Sequence, residues 1–126
     1  MTTHPRVRHH PVELRFAIEG LRYALKTQPN FVVHCISTII AVALGFYFGL
    51  TSSQWLALAL SVSLVVTVEI INTALETIVD LVTLEYHPQA KIAKDLAAAS
   101  VLLSSIGAAI VGLIIFLPKF MIFFQK

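Results

Sequence analysis

Formally charged side chains make up only 13% of the 126 residues, well under the quarter or so that water-soluble domains carry. A chain this short holds one domain at most, so its 57% of apolar residues exceeds what an interior absorbs, and the surplus must face lipid or another subunit. The same shortage of charge excludes a disordered chain, a solvated enzyme and a nucleic-acid binder. The one cysteine, Cys35, permits no internal disulfide and sits in an apolar run, where it reads as a buried, inert thiol. The five glycines are dispersed, so no Walker loop or other glycine-rich phosphate cradle exists and a conventional NTPase is ruled out. A net charge of +2, from nine basic and seven acidic residues, is too small to signal a polyanionic partner.

What the chain does have is long stretches free of charge. Residues 31–50 contain no formally charged side chain and, at roughly 1.5 Å per residue, cover about the 30 Å of a bilayer core. A second helical run, 54–82, has no glycine or proline to stop it. The third, placed at 89–117, is charge-free from Leu96 onward, and Pro118 and Lys119 mark its exit. Ahead of these, Leu14, Ala17, Ile18, Leu21, Ala24 and Leu25 recur at helical spacing opposite Glu13, Arg15, Glu19, Arg22 and Lys26. This pattern predicts an amphipathic helix over 12–27, lying in the membrane interface. Gln28-Pro29-Asn30 then turns the chain into the bilayer. Residues 1–11 read as a flexible terminus, with His4, His9 and His10 facing solvent rather than forming a metal site. The expected fold is therefore all-α and integral to the membrane, a single domain over 1–126 with a surface helix and three transmembrane helices.

Basic residues set the expected orientation. Arg6, Arg8, Arg15, Arg22, Lys26, Lys91 and Lys94 lie before the first span or between the second and third, whereas the loop between spans one and two has none. The positive-inside rule then places the N-terminus and the second loop in the cytoplasm, with Lys119 and Lys126 outside as a mild violation.

Span two carries the costly residues. Acids within a hydrophobic span are expensive to insert, so they face a protein interior and mark a functional path. Seven residues at about 100° each return Glu76 to within roughly 20° of Glu69, Asp80 falls on the same stripe, and Asn72 lies beside it. Counting inward from Trp55 as an interfacial anchor, Glu69 lies about 21 Å deep and Glu76 about 31 Å deep, at the far boundary. The submerged Glu69 is placed to reach a lipid hydroxyl, and a carboxylate withdrawn from water takes up a proton more readily, as a general base must. Glu76, at the wet surface, is placed to hold a cation together with a phosphate. The plainer alternative is that these acids only fix helix packing, by hydrogen bonds or by pairing with Lys94.

The second loop, Glu85-Tyr86-His87-Pro88, leads to Lys91, Lys94 and Asp95 at the mouth of span three. A lysine there neutralises charge on a transferred phosphoryl group, and an acid orients that lysine or a nucleotide hydroxyl. The bland reading is a snorkelling lysine beside an exposed aspartate. Ser100, Ser104, Ala108 and Gly112 stand four apart, a small-residue stripe that lets helices approach closely in lipid. Three spans do not enclose both a nucleotide and a lipid, so a homo-oligomer with sites between subunits is expected.

At Gly20-Leu21-Arg22-Tyr23-Ala24, Asn30-Phe31 with His34, Glu69 to Asp80, Glu85 to Asp95 and Ile114 to Lys119, the chain resembles the prokaryotic diacylglycerol kinase family, and within it the undecaprenol kinase branch. The resemblance implies a homotrimer of three-span subunits that transfers the terminal phosphate of ATP to a lipid hydroxyl, undecaprenol or diacylglycerol, at the cytoplasmic surface of the cell membrane. It implies Glu69 as general base, Glu76 as magnesium ligand, Asn72 as an amide of the active centre that meets the lipid substrate beside Glu69, Glu85 and His87 as a nucleotide-contacting loop, and Lys94 with Asp95 near the phosphates. One position departs from the pattern: Gln28 stands where the family places a second metal-binding glutamate. Two other readings stay open, a non-catalytic proton or ion relay along the acidic stripe, and a family member inactivated at Gln28.

Overall fold

The structure, a computed structural model, describes residues 14–125. Among these the backbone forms four helices and no strand: α1 (Leu14–Thr27), α2 (Pro29–Phe48), α3 (Ser52–Val82) and α4 (Pro88–Phe124). The last three are each long and apolar enough to cross a membrane. At 20 residues α2 matches a bilayer core of about 30 Å, whereas α3 and α4, with 31 and 37, overrun it by several turns. The expected flexible terminus at 1–11 lies outside the described residues.

Short joints hold the helices in register. A single extended residue, Gln28, separates α1 from α2, and Pro29 follows at the first turn of α2, where a missing N–H is harmless. Ala24, the one buried residue of α1, accepts from the Gln28 backbone N–H at 2.9 Å. At the opposite end α2 stops at Gly49, whose φ of +62° is open to glycine at little strain, and the Leu50 N–H returns to the Gly45 carbonyl at 3.1 Å. Thr51 then caps α3 reciprocally: its hydroxyl accepts from the Gln54 N–H at 3.3 Å, and the Gln54 side chain accepts from the Thr51 N–H at 3.1 Å. The chain therefore reverses between α2 and α3 in three residues. At this hairpin the Trp55 ring lies against Gly45, where an added Cβ would stand 2.7 Å from a ring carbon, and it tilts onto Phe46 at 4.9 Å.

α4 packs mainly along α3. Near the α2–α3 hairpin the core consists of Leu50, Leu58, Ile115 and Phe116, flanked by Leu44, Phe48, Trp55 and Phe120. Phe48 of α2 also meets Phe120 edge-on at 5.0 Å and Phe123 at 6.4 Å. These rings explain a departure from the sequence reading, which ends the third span at Leu117. The helix instead runs through Pro118 to Phe124. Proline removes one helical hydrogen bond, but continuing the helix is what carries Phe120 and Phe123 onto Phe48. The other spans shift less, with α2 beginning at Pro29 rather than 31 and α3 at Ser52 rather than 54.

Candidate functional site

The buried residues of α3 are Leu58, Val65, Glu69, Asn72 and Thr73, a stripe at helical spacing that turns from apolar to polar as it approaches the loop at 83–87. Glu69 is 2% exposed, Asn72 8% and Thr73 6%; Glu76 is half-buried and Asp80 exposed. One helix face thus emerges from the protein interior over three turns. The Thr73 hydroxyl donates to the Glu69 carbonyl at 3.0 Å, and Thr77 to the Thr73 carbonyl at 2.8 Å, which absorbs both hydroxyls locally. The Asn72 Nδ2 amine donates to Glu76 Oε1 at 3.1 Å, one turn along. This bond orients the Glu76 carboxylate and leaves the Asn72 carbonyl oxygen pointing elsewhere. Glu69 Oε2 and Asn72 Oδ1 are both buried and have no hydrogen-bond partner among the described residues, a costly arrangement for an isolated chain and a useful one for a site that receives a donor.

His34 of α2, like Glu76, stands near enough to Glu69 for electrostatic interaction with its carboxylate. His34 also borders a cleft of about 480 Å³ between α2, α3 and α4. The cleft is apolar apart from His34, Ser37, Thr38, Ser61 and Ser105, and it reaches Val65 and Val66, one turn from Glu69. Ala108 and Gly112 of the small-residue stripe line it, and an added Cβ at Gly112 would meet nothing within 4 Å. Within the chain, the Ala108 and Gly112 end of that stripe borders an open cleft.

The loop residues sit apart from the buried acids. Glu85 is exposed, and its N–H donates to the Thr83 hydroxyl at 3.2 Å. His87 is exposed and caps α4, its Nδ1 accepting from the Gln89 N–H at 3.3 Å. Two ion pairs define the mouth of α4. Lys91 pairs with Asp95 one turn along the same helix, and Lys94 Nζ reaches across to Asp80 Oδ1 of α3 at 2.5 Å. Lys94 thus pairs with an acid of the α3 stripe, as the reading in which those acids pair with Lys94 expects, and not with its neighbour Asp95, because adjacent residues on a helix point about 100° apart.

Gln28 is half-buried at the α1–α2 elbow, and its side chain makes no capping bond. Among the described residues no group of three or more His, Cys, Asp and Glu side chains could hold a metal ion. Glu76, half-buried and bonded by Asn72, offers one carboxylate, which is within the one or two that magnesium commonly takes when it binds together with phosphate oxygens.

Three spans with a buried, helix-borne acid and a charged loop at one end describe a membrane protein with chemistry at a membrane surface. Its relatives make this specific. The sequence pattern of the family described as prokaryotic diacylglycerol kinase matches residues 15–116, and the chain belongs to that family. It is 44% identical over 108 residues to a diacylglycerol kinase of Synechocystis, covering 85% of this chain and 62% of that one. It is 37% identical over 100 residues to an undecaprenol kinase of Bacillus subtilis, covering 79% and 81%. With a diacylglycerol kinase of Escherichia coli it shares 32% over 105 residues, covering 83% and 86%. The chain thus spans about three fifths of the cyanobacterial relative. Family and helices together support a membrane-spanning lipid kinase of several passes.

Proposed function

We propose that this chain is an ATP-dependent lipid kinase of the cell membrane, working as a homotrimer with its N-terminus and the 83–87 loop in the cytoplasm. The acceptor is the hydroxyl of a membrane alcohol. Undecaprenol is favoured over diacylglycerol because His34 and the Tyr86-His87-Pro88 loop resemble that branch. The observation that carries the reading is the buried Glu69, whose Oε2 lacks a partner among the described residues and stands about two turns from the half-buried Glu76. An alcohol anchored in lipid meets the first, and a hydrated nucleotide meets the second.

In the proposed step Glu69 accepts the proton of the lipid hydroxyl as that oxygen bonds to the terminal phosphorus of ATP, while the bond from phosphorus to the bridging oxygen breaks and ADP leaves. Asn72 holds Glu76 toward the nucleotide through its 3.1 Å bond and offers its free carbonyl oxygen to the substrate. Glu76 is the carboxylate that would hold magnesium, with Gln28 a weaker neutral ligand; the ion would neutralise the phosphate oxygens. Lys94 faces the same charge, and Glu85, His87 and Asp95 line the approach of the nucleotide.

The decisive assay uses purified protein, labelled ATP and mixed micelles containing either a polyprenol or a diacylglycerol. Phosphorylated lipid is expected with magnesium present. Glu69→Gln should lower turnover by about 100-fold or more, the contribution of a general base, and Glu76→Gln should abolish it at ordinary magnesium concentrations. Full turnover in either variant would overturn the assignment.

A further inference from the structure

The Asp80–Lys94 contact is unlike the other two ion pairs found among the described residues. Arg15–Glu19 and Lys91–Asp95 each join residues one turn apart on a single helix, whereas Asp80 and Lys94 tie the last turns of α3 to the first turns of α4 across the 83–87 loop. Their side chains are 49% and 41% exposed. An ion pair this open to its surroundings adds little to stability, so its main effect is geometric. A lysine side chain has four rotatable bonds and no preferred direction on its own, and a carboxylate at 2.5 Å gives it one. Asp80 also stands one turn beyond Glu76, on the stripe that carries Glu69. The Lys94 ammonium is thereby fixed beside the helix face on which the proposed cation ligand lies. It has three N–H donors, of which Asp80 takes one and two remain.

We propose that Asp80 is a positioning residue, which acts through Lys94 and sets the ammonium where charge develops on the transferred phosphoryl group. This rests on the phosphotransfer reading above. Asp80 neither touches the phosphate nor carries a proton in the reaction. Removing its charge leaves Lys94 intact but free to swing toward bulk water, so the expected loss lies in turnover rather than in nucleotide binding.

The test is a double-mutant cycle on the full-length protein in mixed micelles, with kcat, KM for ATP and thermal stability measured for each variant. Asp80→Asn is expected to lower kcat between about 10- and 100-fold, the scale of a misplaced catalytic group, with KM for ATP changed less than threefold and an unaltered melting transition. Asp80→Glu, which restores the carboxylate, should recover most of the loss. In a Lys94→Met background Asp80→Asn should cause no further loss, because its route of action is gone. Independent, multiplying losses in the double variant would show that Asp80 acts on the fold and would overturn the proposal, as would wild-type kcat in Asp80→Asn. A charge-reversed pair, Asp80→Lys with Lys94→Asp, gives an orthogonal check. Recovery of activity there would reduce the pair to packing, whereas a stable but inactive protein supports the positioning role. A wild-type chain that phosphorylates no lipid would bring down the phosphotransfer reading itself, an outcome distinct from an active wild type indifferent to Asp80.

Discussion

Asn72 shows how much one amide contributes at the residue scale. Its amine is committed to Glu76 and its carbonyl oxygen is buried without a partner, so one side chain serves the wet and the dry halves of the site together. Asn72→Ala removes both and should reduce turnover by about 10- to 100-fold, with the larger share in kcat; steady-state kinetics with varied ATP and varied lipid separate the two contributions. Gln28 gives a prediction of opposite sign. If Gln28 replaces a carboxylate ligand, Gln28→Glu supplies a harder oxygen donor, and the magnesium concentration for half-maximal activity should fall. An unchanged magnesium titration would show that the elbow takes no part in cation binding. Burial of Thr73 and of the Ser105 hydroxyl is not evident in the sequence, because a lone hydroxyl in a span looks the same whether it faces a neighbour or lipid; only the packing partner distinguishes them.

Among the elements, α3 was the easiest to read. Its acids recur at the 3.6-residue period, so their common face followed from spacing alone, and the structure buries that face progressively less toward the 83–87 loop. Two features lay beyond such reasoning. The helix across Pro118 depends on rings of α2, some 70 residues away in the sequence, and which acid of the stripe pairs with Lys94 depends on the axial offset between α3 and α4, which no single-helix pattern contains. The hairpin between α2 and α3 is where element stability is most exposed to substitution. Thr51→Ala removes the cap and should cost about 1 kcal/mol. Gly45→Val drives a branched side chain into the Trp55 ring and should cost between about 1 and 3 kcal/mol, as overpacking generally does. Thermal or denaturant unfolding in detergent, compared with Gly107→Ala, where an added Cβ meets nothing within 4 Å, checks that the effect is local.

For the whole molecule, the large apolar side chains exposed along α2, α3 and α4, such as Ile39, Leu60, Leu103 and Ile114, are what a chain bathed in lipid or joined to copies of itself requires. The proposed trimer is tested by glutaraldehyde crosslinking of the protein in lipid nanodiscs, with a three-chain species expected to accumulate and to persist on dilution. A band no larger than a monomer under conditions that sustain activity would refute it. The comparisons with relatives agree on phosphotransfer to a lipid and divide over which lipid, since a diacylglycerol kinase and an undecaprenol kinase both match most of this chain. Product analysis therefore decides what sequence similarity leaves divided.

The rings of Phe48, Phe120 and Phe123 join α2 to α4 at the hairpin end, while the cleft beside them runs from Leu44 and Phe116 out to His34. The bundle is consequently built like a clothes peg, held by rings at the α2–α3 hairpin end and parted toward His34. If the chain takes a membrane alcohol as proposed, such a cleft admits it sideways from the leaflet, without any helix having to unwind.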